Sequence, residues 1–406
     1  AIEFGEQDGL HGTLNTTVSY GVAWRMQDPD TDLIGKANLN PSVLTMSNAQ
    51  QRAAPGRWSV NTDDGDLKWD KGDVISNAAK ATVELNLLYG DNWGGFFRVY
   101  GFYDWENEGR DDLSSLAKEK VGKDVKFLDA FVFHNFTIGG QPGTVRVGQQ
   151  VVSWGESTFI QGGINTINPV DVSKLRVAGA ELKEAFLPVN MIWGSFTFTE
   201  NLSAEALYMF EFEQTEPEPV GTYFASNDFA SLGGRYVMLN FGTIAQPVIN
   251  PDLFYNVCYD KNYGASDTGL PPAAVATGCA AAFPRAPDRF AKDSGQYGFA
   301  LHYFAPDLNN TEFGFFALNY HSRLPLISGI SVTGQSPTTG RYFVEYPEDI
   351  HLFGVSFNTQ LEGSGIALQG ELSYRPNAPF QIDDVELLFA GLSPLNGLIP
   401  QPGLRF

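Results

Sequence analysis

The sequence predicts an all-β chain: an antiparallel transmembrane β-barrel of the outer-membrane type, with an inward-folded, hatch-like segment and long extracellular loops. Three observations lead there. Apolar and polar residues alternate with period two over stretches longer than the five or six residues usual in soluble strands. The 406 residues include 13% aromatics and 43 glycines but only 18% charged residues, a mix that suits a β-rich protein whose outer surface need not face water. No run approaches the ~20 apolar residues of a membrane helix, which leaves the closed barrel as the way to span a bilayer.

In chain order, "GLHGTLNTTVSYGVAWRMQ" opens the pattern. One face carries Leu10, Leu14, Val18, Tyr20, Val22 and Trp24; the other carries His11, Thr13, Asn15, Thr17, Ser19 and Arg25. A tilted membrane strand needs about 9–11 residues, and this stretch exceeds that. "NAAKATVELNLLYG" sets Ala79, Ala81, Val83, Leu85, Leu87 and Tyr89 against Lys80, Thr82, Glu84 and Asn86. After the turn "GDNWGG" the chain returns as "FFRVYGFYDWE", completing an antiparallel hairpin. Further strands are expected at 127–138, 144–152, 190–199, 203–213, 295–304, 312–322, 350–360 and 364–374. That makes eleven, whereas single-chain bacterial barrels have even counts, so at least one strand escapes the pattern or lies outside the sequence. Glu84, Arg98, Arg146, Glu205 and Glu371 sit on the less apolar faces, where a wet lumen would hold them. A secreted sandwich or propeller with one solvated face is the competing fold. No domain boundary or repeat is visible, so 1–406 reads as one domain.

Stretches 27–76 and 215–294 lack sustained period and read as long loops. Cys258 and Cys279, the only cysteines, fall in the second, which suggests one disulfide in an oxidising compartment. "AIEFGEQDG" reads as a mature start after signal removal. An excess of 47 Asp+Glu over 26 Lys+Arg argues against nucleic acid as a partner.

Chemistry-bearing motifs are few. "GESTF" lacks the second glycine of a nucleophile elbow, so Ser157 is a poor nucleophile, and "IQGGIN" lacks the Gly-Lys-Ser/Thr of a phosphate loop. In "NTDDGDLKWDKGD" the carboxylates Asp64, Asp66 and Asp70, with Asp73, only partly match a calcium loop; a solvated turn is the plainer reading, and calcium is the only cofactor suggested. Residues 153–189 break the strand rhythm. Asn168-Pro169 is a turn signal, Asp171 favours a first helical turn, and "ELKEAFLP" has helical propensity up to Pro188. This segment either folds outside or folds inward as a gate. Its Trp154, Glu156, Asp171, Lys174, Arg176 and Glu181, together with Glu84, Arg98 and Arg146 of the strands, are the candidate pore and hatch residues, with the apolar Phe159, Ile160 and Ile164 interleaved among them. No catalytic residue is assigned.

"VRVGQQVVSWGESTFIQGGINTINPVDVSKLRVAGAELKEAFLPV", with "FGEQDGLHGTLNTTVSYGVAWRM" and "NTDDGDLKWDKGD", resembles a family of porin-like proteobacterial outer-membrane β-barrels, formerly of unknown function, encoded beside RND/MMPL-type inner-membrane transporters. The resemblance covers most of the chain. It implies a component of a trans-envelope system for small hydrophobic or lipid-like molecules, with an RND/MMPL-type pump and a periplasmic LolB-like protein as partners and no catalytic residues. Members are longer, which fits a last stretch, "RPNAPFQIDDVELLFAGLSPLNGLIPQPGLRF", whose terminal "GLRF" is too short for a membrane strand. A homotrimer is common among porin-like barrels, but no residue demonstrates one. The function expected is therefore an outer-membrane channel or transporter; an outer-membrane esterase or lipase and a structural or adhesive barrel are the alternatives.

Overall fold

The computed structural model describes residues 1–6, 9–157, 162–177, 179–239, 242–246, 249–333, 339–361 and 363–397. Twelve strands form one antiparallel sheet. In chain order they are β1 (Ile2–Gly5), β2 (Leu10–Trp24), β3 (Val74–Tyr89), β4 (Trp93–Asp104), β5 (Lys123–Ile138), β6 (Gln141–Gln150), β7 (Val189–Thr199) and β8 (Leu202–Met209). After two short strands, β9 (Tyr236–Met238) and β10 (Ala282–Pro284), the sheet resumes with β11 (Gln296–Ala305) and β12 (Thr311–Tyr320). A hairpin, β13 (Leu326–Ile330) and β14 (Arg341–Glu345), precedes the last two sheet strands, β15 (Ile350–Leu361) and β16 (Ile366–Tyr374). β9 pairs with β10 and β13 with β14 in separate small sheets.

All eleven stretches read as strands from their alternation are strands in the large sheet. The twelfth is β1, four residues paired to Leu14–His11 of β2, too short to show a period. β1 and β16 are the ends of the sheet, and among the described residues no ladder joins them.

The connections sort by end. At one end the links are short: 6–9, 90–92, 139–140, 200–201, 306–310 and 362–365. The link 139–140 is two glycines at φ of 61° and 83°, the backbone a tight hairpin turn with both central residues at positive φ requires. At the other end the links are long: 25–73, 105–122, 151–188, 210–295 and 321–349.

The two faces of the sheet differ. On the outer face the apolar set read from the sequence is exposed, including Leu10, Val18, Tyr20 and Trp24 of β2, and Phe299, Phe315, Phe353, Val355, Leu368 and Leu372 further round. Exposed rings gather near the strand ends: Trp24, Tyr103, Trp105 and Tyr374 towards the long links, Tyr89, Trp93, Phe198 and Tyr303 towards the short ones. The opposite face is covered by the 151–188 segment. Val152, Trp154, Ile164 and Ile167 pack there against Met191, Trp193, Leu207, Met209, Phe316, Leu318 and Leu352, which come from β7, β8, β12 and β15.

Four of the long links, with residues after β16, build a cap. Stretches 27–76 and 215–294, read from the sequence as loops, hold short elements stabilised by distant partners. Helices Pro251–Tyr259 and Pro272–Ala281 are joined by the Cys258–Cys279 disulfide. Closing a loop of that length contributes roughly 3 kcal/mol. Around the bridge, Val60, Tyr236, Met238, Phe254 and Ala281 form a small core. The stretch "VELLFAG" lies in a helix, Asp384–Leu392, at the edge of the cap. Among the described residues no helix is long and apolar enough to cross a membrane.

Candidate functional site

The 151–188 segment is held at its base by one amide. The Asn168 Oδ1 accepts from Val152 N at 2.8 Å, while its Nδ2 donates to Gln150 O and Leu187 O, both at 3.0 Å. The turn residue foreseen at Asn168-Pro169 thus ties the two ends of the segment together. Asp171 caps a 3-10 turn, Val172–Leu175, through Ser173 N at 3.1 Å. Glu181 and Glu184 cap a one-turn helix, Leu182–Ala185, which Phe186 ends before Pro188. Arg323, buried, anchors the middle by donating to Ile167 O at 2.8 Å and Glu213 O at 2.9 Å.

Three clusters clasp this segment to the sheet. The first is ionic and lies on β3, β4 and β5. Lys80 pairs with Glu184, each side chain only 3% exposed, and also donates to Gly179 O. Glu84 bridges Arg98 and Lys183, both at 3.0 Å, and Lys183 reaches Glu181 at 3.0 Å. Arg98 continues to Asp129 at 2.5 Å. Lys126 meets Asp171 at 3.4 Å. Lys174, fully buried, lies 3.8 Å over the Phe102 ring and donates to Lys120 O at 2.6 Å.

The second cluster is built on Glu205 of β8. It accepts from the indole N–H groups of Trp154 at 2.8 Å and Trp193 at 2.9 Å, and His302 Nε2 lies 3.4 Å away. Arg146 stacks over Trp193 at 4.5 Å. The third is Glu371 of β16, whose carboxylate takes Glu156 N at 2.6 Å, Ser157 N at 3.1 Å, Ser157 Oγ at 2.6 Å and Ile164 N at 2.8 Å. Arg375 adds bonds to Gly162 O at 2.7 Å and Gly163 O at 2.5 Å. β3, β5, β8 and β16 thus all reach the same segment.

Arg176 points instead to the cap, 4.9 Å over Phe224 and 3.7 Å from Glu218. Burial, only partly offset by Arg176, pushes the Glu218 carboxyl from an ordinary 4.5 up to about 7. A raised acid stabilises the fold while it stays protonated; the contribution is full below 4.5 and is lost as pH rises through about 7. Glu218→Gln is therefore expected to raise stability at pH 8 by up to about 3 kcal/mol and to change little at pH 4. Denaturant melts at the two pH values check this, and equal shifts at both would contradict it.

The predicted residues thus fall into place as follows. Glu84, Arg98, Asp171, Lys174 and Glu181 share the ionic cluster; Trp154 and Arg146 meet around Trp193 and Glu205; Glu156 joins Glu371. Phe159 and Ile160 lie outside the described residues. Ser157's hydroxyl is committed to Glu371. Of the calcium candidates, Asp66 pairs with Arg25 at 2.8 Å, Asp70 is exposed, and Asp64 is buried beside Asp63 and Asp228. Sequence reading did not single out Lys80, Glu184 and His302, and it took Glu205 and Glu371 only as charges facing a lumen. For the four on strands the signal was a polar or charged side chain in an alternating stretch, and Glu184 stood in the helical "ELKEAFLP", but their partners lie far off in sequence.

The cap holds a partly open cavity of about 310 Å³ lined by Trp58, Phe229, Val237, Phe283, Tyr342 and Leu388 among others. That volume is at the lower end for small-molecule sites.

Fold and site together define an all-β protein, one long antiparallel meander with an apolar outer face and a folded segment clasped to its inner one. The chain belongs to the family described as protein of unknown function (DUF1302), which it matches over residues 1–402. No curated protein matches it.

Proposed function

We propose that this protein is an outer-membrane β-barrel that passes small hydrophobic or lipid-like molecules and is kept shut by its 151–188 segment. The observation that carries this is the contrast between the faces of one sheet. The outer face exposes Val18, Phe299, Val355 and Leu372 between two zones of Trp and Tyr, which suits contact with lipid between interfacial girdles. The inner face pairs its charges with a plug-like segment. Long links at one end and short ones at the other fit the extracellular and periplasmic sides of such barrels. The cap cavity, walled by rings and aliphatic chains, suits an apolar cargo before or after its passage.

The family resemblance adds an RND/MMPL-type inner-membrane pump as the energy source and a periplasmic LolB-like carrier as partners; both remain part of this proposal. Reconstitution tests the barrel's own share. Liposomes bearing the protein should take up a fluorescent long-chain acid or sterol faster than protein-free liposomes, without swelling in glycerol. Uptake no faster than in protein-free vesicles would refute the reading.

A further inference from the structure

We propose that Asp63, Asp64 and Asp228 form a binding site for one divalent cation, calcium by the chemistry of its donors, beneath the cap cavity. One carboxylate oxygen from each residue lies within 4.8 Å of the others. Asp63 is 0%, Asp64 5% and Asp228 5% exposed. Oxygen atoms at this spacing can share an ion that takes ligands at about 2.3–2.6 Å. With only hard oxygen donors in the set, zinc and copper are disfavoured.

The hydrogen bonding leaves room for such an ion. Asp63 Oδ2 is satisfied by Gly35 N at 2.7 Å and Asn38 Nδ2 at 2.9 Å, and Asp228 Oδ2 by Asp64 N at 3.2 Å. Asp63 Oδ1 and Asp228 Oδ1 are buried and have no hydrogen-bond partner. The same is true of Gln246 Oε1, on a side chain 6% exposed whose Nε2 lies 3.1 Å from Asp64 Oδ1. Turning that amide over would present its oxygen to the cluster instead. Thr62 Oγ1, also buried and unpartnered, is adjacent in the chain. Buried acceptors without donors are costly, and two of them on carboxylates of one tight cluster suggest a shared cationic partner.

Charge gives the same answer. Lys68 is the nearby cation acting on Asp64, and its Nζ is spent on Asp112 O at 2.9 Å and Gly221 O at 3.3 Å. Asp112 is itself taken by Arg110 at 2.6 Å. Three carboxylates against one ammonium leave two negative charges, which a divalent ion cancels. Asn61, Thr62 and Asn227 line the cavity and adjoin the cluster in sequence. A bound ion therefore joins the two stretches whose neighbouring residues, Thr62 and Asn227, line the cavity, without depending on what the cavity holds.

Calorimetry on the full chain in detergent, stripped with EGTA and titrated with CaCl2, tests this. One calcium per chain is expected, together with a calcium-dependent rise in the cap's unfolding temperature. Asp228→Asn should weaken binding at least tenfold, while Asp70→Asn, an exposed carboxylate outside the set, should leave it unchanged. No binding heat and no thermal shift up to millimolar calcium in the unmutated protein would overturn the proposal. So would loss of binding in Asp70→Asn with binding retained in Asp228→Asn.

Discussion

Glu371→Ala is expected to turn a closed protein into a conducting one. In planar bilayers the unmutated protein should hold current near baseline, and the variant should show steady or flickering openings. The reason is concentration of load. A single carboxylate accepts from Glu156 N, Ser157 N, Ser157 Oγ and Ile164 N, and hydrogen bonds to a charged group contribute about 1.5–3 kcal/mol each. Its removal leaves three backbone donors and one hydroxyl with nothing to bind. The 153–164 stretch would detach from β16 while Asn168 still holds its base. Gly155→Ala should reproduce the phenotype from the other side. Gly155 has φ of 79°, and a methyl group there would land on the Glu371 carboxylate. Baseline current in both variants, with folding intact, would show that the segment does not close the path.

Glu184→Ala is expected to give the largest loss of stability. It strands the Lys80 ammonium in a site with 3% exposure, and breaking a buried pair by removing one partner costs about 3–5 kcal/mol. Thr82 Oγ1, 3.4 Å from Glu184 Oε1, loses its partner as well. Replacing both members by apolar residues of similar size, Lys80→Met with Glu184→Leu, should recover most of the loss, because no charge is then left without a partner. Unfolding in urea with both variants separates these outcomes. A single variant as stable as the double would mean that the pair contributes little.

The large sheet was legible because its strands are long and differ between faces: Leu10 to Trp24 shows its alternation without reference to anything else. β1 was not, since Ile2–Gly5 is too short for a period to emerge. Nor were β9, β10, β13 and β14, which are three to five residues long and exist because of what packs on them. The same split holds at the site. The break in rhythm at 153–189 is local and visible. Its fastening is not, because Glu156 and Glu371 are 215 residues apart and Lys80 and Glu184 are 104 apart. Aspartates clustered in 61–73 draw the eye to neighbours in sequence, but Asp64 finds its company in Asp228, 164 residues on.

Those separations also set an order of assembly. Contacts that close long loops are costly in chain entropy and form after local ones. Each hairpin at the short-link end can pair as soon as its two strands exist. The Glu371 clamp cannot form until β16, the last strand of the meander, has docked on β15. A sheet built only as far as β15 therefore lacks this clamp, and the 151–188 segment gains its fastening on that side only once β16 has docked.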